Sequence, residues 1–155
     1  MRKLKVLVGG AETVFCSAKK AALEFWGCDV TVVTDGKQAC AALSSAHVDL
    51  CILDWDLPKM TGLGTCRWIR SVNKKQPHIV LLTEKADREQ IQAAYLAGAN
   101  DFMAKPLNLE DLHFLISEFA QRVWQQELSS RQLTHVDPLE LYRRDLTTSK
   151  VYSRL

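Results

Sequence analysis

A chain of 155 residues that is 47% hydrophobic can bury one sizeable core, and it is near the common size of a single domain. Its 20 Lys and Arg stand against 18 Asp and Glu, so no global charge attracts nucleic acid or an anionic membrane. No segment is apolar enough to span a bilayer, and the run after Arg2, Lys3 and Lys5 is too short for a signal peptide, which predicts a cytoplasmic protein.

The first predicted element is a strand over 3–8 (KLKVLV), stopped by Gly9 and Gly10. Thr13 then opens a helix whose apolar residues Val14, Ala18, Ala21, Ala22 and Phe25 form one stripe ending before Gly27. The β-branched runs at 29–34 (DVTVVT), 48–54 (VDLCILD) and 78–83 (HIVLLT) are further strands, and each intervening gap can hold a helix. A second clear helical pattern over 87–97 ends at Gly98, and the fifth strand follows at 101–104 (DFMA). Asn108 caps the last helix, with Glu110 and Asp111 in its first turn. Five strands alternating with helices predict an α/β fold: a doubly wound, flavodoxin-like parallel sheet of order 2-1-3-4-5, covered on both faces. The five cysteines (Cys16, Cys28, Cys40, Cys51, Cys66) lie 11 to 15 apart in apolar surroundings without a C-x-x-C pair. They read as reduced, buried thiols and not as a disulfide framework or zinc site.

In such a sheet, chemistry gathers at the carboxyl ends of the strands. There the sequence places Gly9, Gly10, Ala11 and Glu12 after the first strand, Asp54 and Asp56 after the third, Thr83 and Glu84 after the fourth, and Lys105 and Pro106 after the fifth. A carboxylate, a hydroxyl and an ammonium therefore converge on one edge.

The stretch VDLCILDWDLPKMTGLGTCRWIR resembles the phosphoacceptor segment of bacterial response-regulator receiver domains, with Asp54 as acceptor, Pro58 in the next loop and Gly62 before the third helix. HIVLLTEKAD resembles the family's fourth strand with its threonine, Thr83, and AGANDFMAKPL its fifth, with Phe102 at the aromatic switch position and Lys105-Pro106 at the end. The resemblance covers about residues 3–123 and implies a receiver domain over 1–123 followed by a helical extension or linker over 124–155. It implies that Lys105 and Thr83 offset phosphoryl charge, that Thr83 and Phe102 carry the switch, and that Pro106 follows a cis peptide.

Ordinary receivers end their first strand in an acidic pair that holds magnesium. Aligned on that pattern, KVLVGGAE puts Gly10 and Ala11 where the pair belongs and leaves Glu12 alone. Magnesium is usually held by one or two carboxylates plus substrate and water. Asp54, Asp56 and Glu12 are the remaining candidate ligands, so magnesium binding is expected to be weak or absent. A dinucleotide fingerprint fails on spacing, since no G-x-G-x-x-G is present.

Leu112, Ile116, Phe119, Val123 and Leu133 keep a helical spacing interrupted by Gln126 and Ser130, so the last helix either runs on as a signalling or dimerising helix or frays near Ser129. THVDPLELYRR resembles the opening of a diguanylate cyclase (GGDEF) domain without its T-G, which implies the N-terminal part of a longer cyclase protein with a truncated output domain, the alternative being an unstructured tail; the catalytic loop is absent, so no cyclase activity is expected. Two functions stay open. One is a non-enzymatic phosphoacceptor switch served by a histidine kinase or phosphotransfer protein and acting on an output domain or partner. The other is a degenerate receiver working as a phosphorylation-independent interaction module or homodimer. A flavodoxin-like cofactor binder is weaker, since fold alone does not imply function.

Overall fold

The computed structural model describes residues 2–72, 76–85 and 87–132, with the side chains of 13–15 and 132 outside the description. Among the described residues five strands alternate with five helices: β1 (Lys5–Gly9), α1 (Thr13–Phe25), β2 (Asp29–Val33), α2 (Gly36–Ser45), β3 (Leu50–Asp54), α3 (Gly62–Val72), β4 (His78–Thr83), α4 (Arg88–Leu96), β5 (Asp101–Ala104) and α5 (Leu109–Gln132). All pairings are parallel and the order is β2-β1-β3-β4-β5, as the alternation of strand and helix patterns predicts. The THVDPLELYRR stretch lies outside the described residues.

Local chemistry fixes the element ends. Asp87 accepts a bond from the Gln90 N–H at 2.8 Å and Asn108 one from the Asp111 N–H at 2.8 Å, which satisfies donors that a helix start leaves orphaned. Gly27 and Gly98 follow α1 and α4 with φ of 86° and 103°, a backbone region where a side chain is strained.

The sheet buries both faces. Leu7, Cys51, Leu53, Ile79 and Leu81 pack with Ala39, Leu43, Cys66 and Ile69 of α2 and α3 in one core. Strand alternation turns Val6, Val8, Leu50, Ile52, Val80 and Leu82 to the other face, and all six are buried. All five cysteines are free and four are buried; burial pushes the Cys51 thiol up to about 12.

One helix departs from the sequence reading. On α1, Ala18 and Ala21 are exposed and Phe25 is 88% exposed, while Cys16, Lys19 and Leu23 are buried at i, i+3 and i+7. The expected apolar stripe is therefore rotated off the core. A lysine occupies a core-facing position, and that polar residue hid the true stripe.

The chain divides into two compact units, Met1–Phe114 and Leu115–Leu155. The boundary falls inside α5, which continues unbroken for 24 residues. Along it Leu112, Ile116 and Phe119 are buried and Val123 is half-buried. Among the described residues no helix is long and apolar enough to cross a membrane.

Candidate functional site

Asp54 is the last residue of β3, and its position rests on backbone geometry. It pairs with Leu82 of β4, and the next N–H, that of Trp55, donates to the Leu82 carbonyl at 2.8 Å. The Gly62 N–H donates back to the Trp55 carbonyl at 2.8 Å. A Cβ at Gly62 would run into the Asp54 carbonyl oxygen, so α3 can start here only with glycine. On the neighbouring strands, the Lys105 N–H donates to the Thr83 carbonyl at 2.8 Å, and the Lys105–Pro106 peptide is cis.

Side chains from these ends meet in a pocket of about 320 Å³ lined by Glu12, Cys16, Asp54, Glu84, Lys105 and Pro106. Lys105 Nζ lies 3.2 Å from Asp54 Oδ2, with only 14% of the aspartate side chain exposed. The other oxygen, Oδ1, is buried and has no hydrogen-bond partner among the described residues. A buried carboxylate oxygen without a partner is costly. One oxygen thus lies against an ammonium while its twin is left without a hydrogen bond. Beside them, burial pushes the Cys16 thiol up, which keeps it neutral.

The other predicted residues take differing positions. Thr83 is buried, and its hydroxyl donates to Gln90 Oε1 at 2.9 Å and accepts from the Lys85 N–H at 3.2 Å, so it is tied to α4 and does not line the pocket. Phe102 is half-buried on β5, paired with Leu81. Glu12 is exposed, at the α1 N-cap without a side-chain cap bond, and reaches the pocket rim. Asp56 is exposed and is not among the pocket-lining residues.

Positions 10 and 11 offer nothing to a magnesium ion. Gly10 is buried and Ala11 exposed, and neither brings an oxygen side chain. A Cβ at Gly10 would stand 2.7 Å from Cys16 Sγ and 3.0 Å from Asp54 Oδ2, so the thiol fills the space a carboxylate would need. Among the described residues no group of three or more His, Cys, Asp or Glu is placed to hold a metal. Magnesium requires several hard oxygens in near-octahedral array, and a thiol is a poor substitute.

Sequence reasoning missed Cys16, Lys19 and Gln90. Lys19 carried a signal, since it lies three residues after Cys16 and four before Leu23, all on one helical face. Gln90 carried none, because a glutamine in a helix is ordinary.

The sequence model of the response regulator receiver domain matches residues 6–117. A probable transcriptional regulatory protein TcrX of Mycobacterium tuberculosis is 36% identical over 69% of this chain and 45% of its own length. Response regulator MprA of Mycolicibacterium vanbaalenii is 31% identical over 70% of this chain and 47% of its own. The chain therefore spans a little under half the length of these relatives. The chemotaxis response regulator CheY4 of Vibrio cholerae superposes with a TM-score of 0.70 at 27% identity, over 76% of this chain and 98% of that one. The receiver domain of Ssk1, solved with the Saccharomyces cerevisiae phosphotransfer protein Ypd1, shares the fold at a TM-score of 0.71 and 22% identity, over 76% and 89%.

Proposed function

The chain belongs to the response-regulator receiver family, and on that footing we propose that it is a phosphoacceptor switch with Asp54 as the accepting residue and an impaired magnesium site. The observation that carries the reading is the Asp54 carboxylate itself, with Oδ2 on Lys105 at 3.2 Å and Oδ1 buried and unpartnered, opening on a pocket. Fixed cations in a partly dry site act on developing phosphoryl charge without reorganisation, which is how positioned groups catalyse such transfers. The donor is a histidine kinase or a phosphotransfer protein, in line with the likeness of fold to a receiver solved with one. Work of this kind belongs in the cytoplasm, with the signal passed to an output domain or partner protein.

Signal transmission runs through Thr83. In the unmodified chain its hydroxyl is committed to Gln90 on α4. A phosphoryl group on Asp54 competes for that proton as a stronger, charged acceptor. Thr83 then leaves Gln90, α4 loses a tether, and Phe102 on β5 gains room to turn.

The test is intact-mass spectrometry after incubation with phosphoramidate. The wild type is expected to gain one phosphoryl group and Asp54→Asn none. An unchanged wild type would leave the degenerate interaction module as the better reading.

A further inference from the structure

Besides Lys105, a second and deeply buried cation feels the Asp54 carboxylate. On α1 the buried face consists of Cys16, Lys19 and Leu23, and Lys19 is only 4% exposed. Lysine is almost never this buried unless a partner offsets its charge. Strand alternation puts Gly10 and Asp54 on the sheet face that carries Val6, Val8, Leu50 and Ile52. Cys16, one helical turn before Lys19, would meet a Cβ placed on Gly10. The strongest opposing charge on the Lys19 ammonium is the Asp54 carboxylate; Glu12 also attracts it and Lys105 repels it. Burial nonetheless lowers the Lys19 pKa.

We infer that Lys19 is the resident counter-cation of the acceptor: with Lys105 it supplies the positive charge that a divalent metal would otherwise bring, so that Asp54 takes up a phosphoryl group without magnesium. This rests on the reading of Asp54 as acceptor. Four residues that shape the site then form one set. Gly10 and Ala11 remove metal ligands, Cys16 occupies the vacated volume, and Lys19 restores the missing positive charge.

The step balances without a metal or a proton. A carboxylate oxygen of Asp54 attacks the phosphorus of an acyl phosphate such as acetyl phosphate. The bond from phosphorus to the acyl oxygen breaks, and acetate leaves with its electron pair. The new acyl phosphate carries about two negative charges at neutral pH, against two ammonium groups. With a phosphohistidine donor the phosphorus–nitrogen bond breaks instead; the ring nitrogen takes the pair, and a proton on the other ring nitrogen lets the donor leave as neutral imidazole.

Two measurements on the 155-residue chain test this. The first is a double-mutant cycle of Lys19→Met and Asp54→Asn by urea unfolding, which needs no phosphorylation. Lys19→Met puts an apolar chain of similar length at a core-facing position, so the variant folds. The pair is expected to be non-additive by at least about threefold in the unfolding equilibrium constant; additivity overturns the inference. The second is labelling by acetyl phosphate in excess EDTA or in millimolar magnesium. Wild type is expected to label at rates within about twofold in the two buffers, and Lys19→Met at least about tenfold more slowly in EDTA. Labelling of the wild type only with magnesium, or undiminished labelling of Lys19→Met, overturns the role of Lys19 and leaves Asp54 as acceptor. If wild type labels in neither buffer, the acceptor reading falls and the phosphoryl-stage role of Lys19 falls with it, while the cycle still reports whether the two side chains pair.

Discussion

Restoring an acid at position 10 is the perturbation that probes the loop most sharply. A Cβ there would stand 2.7 Å from Cys16 Sγ, roughly 1 Å inside normal carbon–sulfur contact, before any carboxylate is added. It would also stand 3.0 Å from Asp54 Oδ2, so the new carboxylate must share space with an existing one. Overpacking of this kind costs about 1–3 kcal/mol. Two like charges about 4 Å apart add a gross repulsion on the order of 4 kcal/mol at an effective dielectric of 20, much of it cancelled by Lys105 and Lys19. Gly10→Asp is therefore expected to destabilise the chain by about 2–4 kcal/mol. Cys16→Ala clears the collision, so the Gly10→Asp/Cys16→Ala pair should recover at least about 1 kcal/mol relative to the sum of the singles. Urea unfolding followed by circular dichroism measures all three. Adding Ala11→Asp, at an exposed position, completes the acidic pair, and magnesium should then raise the Tm of the triple variant while leaving that of the wild type unchanged. Strict additivity of Gly10→Asp and Cys16→Ala, or equal stabilisation of the wild type by magnesium, would refute the claim that Cys16 fills a lost ligand position.

Other expectations follow from particular contacts. Gly62→Ala forces a methyl group against the Asp54 carbonyl and should cost about 3 kcal/mol in unfolding free energy, a loss that replacement of the exposed Ala11 by glycine should not approach. Gln90→Leu removes the nearer of two acceptors of the buried Thr83 hydroxyl, the Lys85 carbonyl at 3.2 Å being the other, and should cost about 1 kcal/mol; an unchanged urea midpoint in Gln90→Leu would show that the bond does not hold α4. Asp49 is a pH probe. Its burial opposes charge, but Arg2 at 2.7 and 2.8 Å, the Lys5 N–H and His47 outweigh it and hold the carboxyl down to about 2 from 3.8. Because the folded value lies below the unfolded one, the stability it contributes is complete above about pH 4 and is lost as pH falls toward 2. Asp49→Asn should flatten that part of the stability–pH curve, and an unaltered acid limb would contradict the assignment.

The sheet was legible because buried parallel strands are continuous apolar runs, and each predicted run overlaps an observed strand. Gly27, Gly98 and Asn108 were equally readable, since caps act through residues adjacent in sequence. The lining of the site was readable only in part. Asp54, Glu84, Lys105 and Pro106 end strands, so topology alone brings them together. Cys16 and Lys19 reach the site from a helix face, and a periodicity search discards the one charged residue on that face. Thr83 ends β4 as expected, yet its hydroxyl points to Gln90, a long-range choice of rotamer that no local pattern encodes.

The central claim is that Asp54 is the residue that takes the phosphoryl group. The most direct measurement is borohydride reduction of the chain after exposure to acetyl phosphate, followed by peptide mapping. Hydride cleaves an aspartyl phosphate and leaves homoserine in its place. Homoserine is expected at position 54 and nowhere else, with none formed when the donor is omitted. Homoserine at Asp56 or at another carboxylate, or none in a chain that has gained phosphoryl mass, would contradict it.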